Sequence, residues 1–535
     1  MLAYFIAVGL PLALFLHACS TIGHRRRHMP DGPPTMPLLG NMLQMPTSKL
    51  FLKLHEWAKE YGDCYSLTVG PSNIIVLSGR NAVKQVLDKN SAVSSNRPVS
   101  VLRQQLLTGG EHLLWMDATP QWRDLRKLIH GDLTQTMCNG THAPLQHAES
   151  VQMLYDMMQD QSEWKRHIER FTNSLIMCLV YGIRQPRIYD PYILRFEELM
   201  RQWTIINTPG ATPPVDIFPA LNWVPERFFN NWKSRARAVH DEMRDLYDGL
   251  HDTVVSRRQR IGSVGSIVDR MLDQTGKNTL TRHQIANLAG VTIKGGSDTS
   301  ATTLSNFVTA MVLHPEIQKK AQAEIDREVP SDRIPDLSDF GRLPYVMAII
   351  KEVQRWRPLG GLGIPHELSE DVWLDGKLLP KGSTVFLNNW TLCQDEKRYQ
   401  NPEKFDPDRF EGFTAFASEY ANLADPEKRD HYSYGNGRRL CPGIHLAERN
   451  LMHVASKMLW AFDMRLPTDP ATGKPIEIDT DIMTGYVEGL VLSIKDFPVD
   501  LKVRSEDRRR AVEESHSAAN ADLFAKYDEV IAAST

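Results

Sequence analysis

Apolar residues recur at helical spacing through most of this chain, and strand-like patterns are confined to a few short stretches. The spacing predicts helices at residues 50–62, 81–89, 346–356 and 444–462. The β-branched or alternating stretches 64–69 and 73–77 predict a hairpin around Gly70-Pro71. Between residues 99 and 114 neither pattern holds, so we expect a loop there. Near the C-terminus, residues 481–490 predict a hairpin with its tip at 484–486.

The longest helical pattern begins after Thr281 and ends at His314, immediately before Pro315. Thr281 and Gln284 have the spacing of a capping box, which satisfies free N–H groups at a helix start. The centre of this helix, residues 295–300, reads Gly-Gly-Ser-Asp-Thr-Ser. Each glycine costs a helix roughly 1 kcal/mol relative to alanine. A long helix weakened at its centre indicates a functional use of that position.

The first residues form an apolar segment. Residues 1–22 contain no Asp, Glu, Lys or Arg, and about 20 apolar residues suffice to cross a bilayer. Three arginines follow at 25–27, so we predict an uncleaved transmembrane anchor with the remainder of the chain in the cytosol. A cleaved signal peptide is the alternative, although its positive charge would precede the apolar run. Residues 23–41 are basic and rich in proline, which predicts an extended hinge.

Composition narrows the class of protein. The 535 residues are 42% hydrophobic and 24% charged, which is ordinary for a globular protein. A net charge of -3 gives no basic excess, and we expect no nucleic-acid partner. The six cysteines include no C-x-x-C pair, which argues against a zinc site or a disulfide framework and fits a reducing compartment.

One of these cysteines, Cys441, lies among the glycines and arginines of residues 434–443. Glycines allow a flat ligand to approach the backbone, and arginines supply permanent charge for anionic groups. Haem has a flat macrocycle, two propionates and an iron that accepts an axial thiolate. The alternative is a glycine-rich loop that contains a buried structural cysteine.

Within this loop Tyr434, Gly437, Arg439, Cys441 and Gly443 resemble the haem-binding pattern F-x-x-G-x-R-x-C-x-G of the cytochrome P-450 monooxygenases. Tyr434 departs from the usual Phe, and its hydroxyl then needs a partner. The resemblance implies haem b with Cys441 as axial ligand of the iron, Arg439 on a propionate, and Gly437 and Gly443 beside the cofactor. It also implies the mainly α cytochrome P-450 fold with a small β region.

The implied domain organisation is an anchor at residues 1–22, a hinge at 23–41, a haem-thiolate monooxygenase domain at 42–504 and a polar helical tail at 505–535. After the anchor, the resemblance covers nearly the whole chain, and its motifs occur in the family's order.

The resemblance implies three further propionate ligands, in two separate parts of the chain. Trp122 and Arg126 share a helical face and resemble the family's W-x-x-x-R motif. His366 occupies a position where the family often has a propionate-binding Arg or His. A snorkelling surface arginine and a surface histidine are the alternatives.

The glycine pair with Asp298 and Thr299 resembles the [AG]-G-x-[DE]-T motif for oxygen activation. Gly295 and Gly296 would leave room there for a diatomic ligand, and a glycine pair that serves only helix packing is the alternative. In the family Thr299 would hold the oxygen and a water, and Asp298 would relay protons. Lys294 lies four residues before Asp298. It either pairs with that carboxylate or offers a cation to an acidic or phenolic substrate.

Glu352 and Arg355 resemble the family's E-x-x-R motif, and Arg409 lies in a P-D-R-F segment like the family's P-E-R-F. The resemblance implies a buried charged triad behind the haem loop. A surface pair three residues apart is the alternative for Glu352 and Arg355.

Together these motifs imply monooxygenation, in which one atom of O2 enters a small organic substrate and the other becomes water. Electrons are expected from a separate NADPH-cytochrome P-450 reductase. Arg123, Lys127, Arg438 and Arg449 form either a basic patch for that partner or scattered solvated charges. We expect the enzyme in the endoplasmic reticulum membrane, facing the cytosol.

The runs at residues 295–300, 364–366 and 441–450 most resemble fungal secondary-metabolism enzymes, including the cresol and hydroxybenzyl-alcohol hydroxylases of the patulin pathway. This implies an aromatic polyketide intermediate as substrate. A haem-thiolate isomerase or dehydratase and a non-catalytic haem-binding protein are the other classes considered, and Asp298 with Thr299 argues against both.

Overall fold

The computed structural model describes His17 and residues 21–208, 210–274 and 280–527. The predicted anchor at residues 1–22 therefore lies almost entirely outside the described residues. Among the residues that are described, none of the helices combines the length and apolar character that a bilayer crossing requires.

Helices dominate the described chain. The first half contains α1 (Leu50–Tyr61), α2 (Arg80–Val83), α3 (Pro120–Asp132), α4 (Gln135–Asn139), α5 (Ala143–Gln159), α6 (Trp164–Tyr181), α7 (Pro191–Asn207) and α8 (Trp232–Ile261). The second half contains α9 (Ile267–Asp273), α10 (Arg282–Leu313), α11 (Pro315–Glu328), α12 (Pro344–Trp356), α13 (Asn389–Cys393), α14 (Ala417–Tyr420), α15 (Ile444–Ala461) and α16 (Glu506–Ala519).

The strands are short and form a small β region. They are β1 (Cys64–Val69), β2 (Ser72–Leu77), β3 (His366–Glu367), β4 (Val372–Leu374), β5 (Lys377–Leu379), β6 (Thr384–Leu387), β7 (Phe462–Arg465), β8 (Tyr486–Glu488), β9 (Leu492–Ile494) and β10 (Asp500–Val503). One four-stranded sheet has the order β1-β2-β6-β3, in which β2 and β6 run parallel. The pairs β4–β5, β7–β10 and β8–β9 are separate antiparallel ribbons.

The long helix α10 runs through the main core. Its start is the predicted one, because Thr281 caps the helix and forms the capping box with Gln284. It packs against α6, α8 and α15, and most of its residues are buried. It also contacts α3, and α15 directly follows the cysteine loop. This mostly helical fold with a small sheet region is the one that the sequence predicted.

Two local expectations were wrong, and a third segment is docked on the sheet. The predicted loop at 99–114 contains a π-helix, Val101–Leu107, whose start is capped by the Ser100 hydroxyl. The predicted hinge at 23–41 contacts the sheet, since Arg25 donates to the hydroxyl of Ser66 on β1 at 2.9 Å. The hairpin near the C-terminus turns at residues 489–491 between β8 and β9, beyond the predicted tip at 484–486.

Candidate active site

The cysteine loop immediately precedes α15 and is fixed against a π-helix, Lys84–Lys89, that continues from α2. Gly437 has a φ of +52°, and a Cβ there would lie 2.1 Å from the carbonyl oxygen of Leu87. Its N–H donates to the carboxylate of Asp88 at 2.9 Å. Glycine is therefore required at this position by both conformation and space. At Gly443 a Cβ would make only an ordinary contact with Leu133, so packing within the described residues does not require glycine there.

The Cys441 N–H donates to the carbonyl of Tyr434 at 2.8 Å, which closes the loop on itself. The Tyr434 hydroxyl, absent from the usual Phe, accepts a 3.5 Å hydrogen bond from the Gln354 amide on α12. The departure from the family pattern is thus accommodated by a partner from the neighbouring helix.

Opposing effects act on the pKa of the Cys441 thiol. Burial raises the pKa of the thiol, while the Gly443 N–H and the Arg126 guanidinium act to lower it. A bound metal ion deprotonates a coordinating thiol outright. The start of α15 also directs its positive dipole end toward this position. These features fit a cysteine that becomes a thiolate when it binds iron.

Three buried or partly buried guanidinium groups meet beside the loop, from Arg97, Arg126 and Arg439. Arg126 donates to the carbonyl of Leu440, and Arg439 donates through Nε to the carbonyl of Ser95 at 2.8 Å. None of the three forms an ion pair with any described carboxylate. Burial and mutual repulsion lower the pKa of Arg97 far below its usual range and that of Arg439 to about 10.

Asp117 is the one carboxylate whose charge acts on Arg97 and Arg439 in the described structure, so the cluster carries an excess of positive charge. Such an excess calls for anions, because a buried charge is tolerated only when it is paired. The two propionates of haem supply them next to a cysteine suited to its iron. The residues present therefore fit the cofactor that the sequence implied.

Trp122 lies within this arginine cluster. Its indole N–H donates to the carbonyl of Leu113 at 3.0 Å, and its ring lies 4.1 Å from the Arg439 guanidinium and 5.5 Å from that of Arg126. The ring thus holds both arginines in place through cation–π contacts. Its donation to a propionate stays a prediction, as it does for Arg126 and Arg439.

His366 is buried, and its Nδ1 donates to the carbonyl of Ser94 at 2.6 Å. Burial and the nearby charge of Arg97 lower the pKa of His366 to about 3, so the ring is neutral and its Nε2 is an acceptor. A propionate facing that lone pair would be repelled. Arg97 is better suited to this role, because it bonds the carbonyls of Ile364 and Pro365 through Nη1 and retains a further donor, Nη2.

Sequence reasoning missed Arg97. It lies in the run Ser94-Ser95-Asn96-Arg97-Pro98, inside a stretch without helical or strand periodicity. The available signal was weak. It consisted of an arginine before a proline, which favours extended backbone, with no acidic residue among its immediate neighbours.

The two glycines at the centre of α10 have different surroundings and therefore different roles. A Cβ on Gly295 would meet nothing within 4 Å, whereas one on Gly296 would lie 2.8 Å from the Ile176 side chain of α6. Gly295 therefore faces open space, and Gly296 permits helix packing. The expectation that both glycines make room for a diatomic ligand was wrong for Gly296. The Thr299 hydroxyl donates to the carbonyl of Gly295 at 2.9 Å, which places it beside the open space.

The two charged residues of this turn do not pair. Lys294 and Asp298 form no ion pair within 4.0 Å among the described contacts, and the Lys294 ammonium lies 3.4 Å from the ring centre of Trp203 on α7. Burial raises the pKa of Asp298 to about 6 and lowers that of Lys294 to about 7. The intrahelical pair therefore exists only as attraction over a longer distance, which raises the pKa of Lys294 and lowers that of Asp298 against the larger effect of burial.

The charged triad exists as predicted. Arg355 donates to both carboxylate oxygens of Glu352, at 2.6 and 2.7 Å. Arg409 forms an ion pair with the same carboxylate at 3.5 Å. Arg355 also donates to the carbonyls of Cys393 and Pro402, so it joins α12 to the chain that leads to the cysteine loop. Glu352 and Arg355 are fully buried, which excludes the surface-pair alternative.

Next to the arginine cluster there is an open hollow of about 520 Å³, which is lined by Trp122, Arg123, Arg126, Lys127, His130 and Arg438. Three of the four residues expected in a basic patch, Arg123, Lys127 and Arg438, thus share one surface. Arg449 does not, because it is buried and its Nε donates to the side chain of Asn139.

Comparisons with known proteins agree with this geometry. Residues 30–485 match the Cytochrome P450 family. The chain is 42% identical to cytochrome P450 monooxygenase macC of Penicillium terrestre over 96% of this chain and 97% of that protein. It is 41% identical to cytochrome P450 monooxygenase patH of Aspergillus clavatus over 98% of each.

Among solved structures, a zebra fish cytochrome P450 with progesterone superposes with a TM-score of 0.69 at 25% identity, over 85% of this chain and 99% of that one. Family match, identity and fold therefore agree. The chain belongs to the cytochrome P450 family of haem-thiolate monooxygenases, it binds haem b through an axial cysteine, and its relatives are enzymes of fungal secondary metabolism.

Proposed function

We propose that this protein hydroxylates or otherwise oxidises a small aromatic polyketide, with Cys441 as the axial ligand of its haem iron. The observation that carries the proposal is the unpaired arginine cluster beside the cysteine loop, close to the helix that carries Asp298 and Thr299. The arginine cluster would bind the dianionic haem. The helix with Asp298 and Thr299 would offer space for a ligand and a path for protons.

The residues of the site divide the binding of haem and the transfer of protons between them. Arg97, Arg126 and Arg439 bind the propionates, and Trp122 orients the last two. When bound, haem-thiolate supplies the activation of O2. Asp298, with a pKa of about 6, can both accept and donate a proton near neutral pH.

The Thr299 hydroxyl is placed for hydrogen bonding because it lies over the space that Gly295 leaves empty. It can release the Gly295 carbonyl and turn toward a ligand in that space.

The substrate class rests on relatives of this chain in Penicillium and Aspergillus. Secondary-metabolite enzymes of this type act on small organic intermediates, and the motifs at residues 295–300 and 364–366 are those that resemble aromatic-polyketide hydroxylases.

For the redox partner, we propose an acidic NADPH-cytochrome P-450 reductase that docks on the hollow lined by Arg123, Lys127 and Arg438. Opposite charges steer such encounters and set their register. The hollow lies against Trp122 and Arg126, so a bound reductase would be close to the cofactor.

We propose a membrane anchor at residues 1–22 and a position in the endoplasmic reticulum membrane. Two features near Gly70 support this. The Gly23 N–H donates to the carbonyl of Gly70 at 3.1 Å, and Phe218 approaches the same glycine. Phe218 begins a loop in which Trp223 is 90% exposed. The chain leaving the anchor and this exposed apolar loop therefore lie side by side.

The test is turnover with purified reductase, NADPH and ¹⁸O2 against a panel of aromatic polyketides. The proposal expects a product that carries one labelled oxygen atom and depends on NADPH. A product without label would favour an isomerase or dehydratase. In parallel, removal of residues 1–22 should release the enzyme from membranes while its spectrum is kept, and continued sedimentation with membranes would contradict the anchor.

A further inference from the structure

Lys294 is a buried basic residue that no described carboxylate approaches within 4.0 Å, although the charge of Asp298 acts on it from a longer distance. It is 5% exposed, and its ammonium contacts the face of Trp203 at 3.4 Å. Among the described residues it has neither a side-chain hydrogen bond nor an ion pair. A cation–π contact compensates only part of the free energy of hydration that burial removes. The three N–H donors of this ammonium therefore lack acceptors.

A second donor without a partner lies against the same indole. The His112 ring stacks on Trp203 with 6.2 Å between centroids. Its Nδ1 accepts from the N–H of Leu114 at 3.2 Å, so the proton of the neutral ring is on Nε2. That Nε2 is buried and has no hydrogen-bond partner in the described structure. Burial and the charge of Lys294 keep the imidazole neutral by lowering its pKa to about 3.

These residues connect the two sides of the active site. Lys294 immediately precedes Gly295, which faces open space on α10. His112 immediately precedes Leu113, whose carbonyl accepts from Trp122 and Arg439 in the propionate cluster. Trp203 contacts both donors, and each donor is one residue away from a residue of the proposed active site.

We propose that Lys294 and His112 form a recognition site for an acidic oxygen of the substrate, a carboxylate or an ionised phenol, with Trp203 as its aromatic wall. The inference rests on the proposed function, since it assigns a substrate class to that same site. Two buried donors without acceptors match an oxygen that carries negative charge, and an indole face suits the aromatic ring that bears it.

The charges around Lys294 define a pH dependence. Asp298 lies on the same helix, Glu197 on α7 acts on Asp298, and His112 faces from the loop beyond the π-helix. Burial lowers the pKa of Lys294 to about 7, so its positive charge is lost as pH rises through 7. A carboxylate should therefore bind more weakly above pH 7 and take up a proton on binding. A phenol, with a pKa of about 10, can instead donate to the neutral amine and should bind evenly from pH 7 to 9.

The experiment measures ligand-induced shifts of the haem spectrum with two matched pairs, para-chlorobenzoate against para-chlorobenzamide and para-chlorophenol against para-chloroanisole. We expect the wild type to prefer the acid of at least one pair, and the pH profile to identify which acid. Lys294→Met should reduce that preference about tenfold or more, and His112→Phe, which keeps the stacking, by less. Lys320→Met is the control, because it removes a cation over Tyr345 at the exposed surface.

Equal binding within both pairs by the wild type, or an unchanged preference in Lys294→Met, overturns the inference. The reduced carbon-monoxide spectrum separates this failure from failure of the proposed function. A thiolate spectrum with no discrimination rejects only the recognition site, whereas a wild type without a thiolate spectrum rejects the monooxygenase assignment. If Lys294→Met does not fold, the wild-type preference and its pH profile still decide.

Discussion

Buried charged residues in this protein fall into two groups. Those of the first group have ionic partners, as Arg170 and Arg184 have in Glu149. The second group lacks such partners among the described residues. Its members Arg80, Arg429, Arg449 and Lys457 donate to carbonyls or neutral side chains. Arg97, Arg126 and Arg439 differ because they cluster beside the cysteine loop, and Lys294 differs because no described group accepts from it. Since an unpaired buried charge is costly, we expect anions from outside the chain at these two places. The arginine cluster is the proposed propionate site, and Lys294 belongs to the proposed substrate site.

At the same scale, Asp298 provides a test of proton delivery. Asp298→Asn keeps the shape of the side chain but cannot carry a proton, so turnover should fall about 10²-fold while substrate affinity stays within about threefold. The donor is the protonated carboxyl, and its share decreases above its pKa of about 6. The ratio of wild-type to variant turnover should therefore decrease from pH 6 to 8. A ratio that does not vary with pH would argue against this role.

Prediction from sequence worked for residues whose partners lie in the same motif and failed where partners come from distant segments. Cys441 and Gly437 were recognised because one short loop contains the whole pattern. Arg97 was missed, since its role depends on residues that only folding places beside it. Lys294 was noticed, but Trp203, which decides between its two alternatives, is 91 residues earlier in the chain.

Among the elements, the triad ties α12 to the segment before the cysteine loop. Glu352→Gln would leave the Arg355 guanidinium buried without its counter-ion, and the free energy of unfolding should fall by about 3–5 kcal/mol. Asp408→Asn is a matched control, because its 2.6 Å pair with Lys320 is more than half exposed and contributes less than about 1 kcal/mol. Urea unfolding measures both, and equal losses would show that the triad is not a structural brace.

The glycine pair of α10 provides a second test at the scale of elements. Gly295→Ala introduces a methyl group into open space, so it should stabilise the helix by roughly 0.5–1 kcal/mol. Gly296→Ala forces a methyl group against Ile176 and should be the less stable variant by roughly 1–3 kcal/mol. Thermal or urea unfolding of the two proteins compares them directly. Equal stabilities would mean that α6 and α10 are not closely packed at this point.

Long elements were easier to predict than short ones. The bounds of α10 follow from Thr281, Gln284 and Pro315, all of which act locally. The π-helix at Val101–Leu107 has no comparable signal, because its irregular turns carry no 3.6-residue period. The segment 23–41 has the composition of a spacer, but its docking on β1 depends on tertiary hydrogen bonds that composition does not reveal.

At the scale of the whole molecule, the basic hollow is the proposed docking face for the reductase. Lys127→Glu with Arg438→Glu should slow reduction by the NADPH reductase about tenfold at low ionic strength and make it less sensitive to salt. Reduction by dithionite should be unchanged. Lys377→Glu, on the β4–β5 ribbon, is the control. A loss of similar size in that control would show that the hollow is not the docking face.

Every assignment in the proposed active site depends on Cys441 as the ligand of haem iron. The most direct test of this role is the reduced carbon-monoxide difference spectrum of the wild type and of Cys441→Ser, with the buried Cys138→Ser as control. We predict the red-shifted band of thiolate-ligated haem in the wild type and in Cys138→Ser, and its loss in Cys441→Ser. A thiolate band that persists in Cys441→Ser, or is absent from the wild type, would contradict the account.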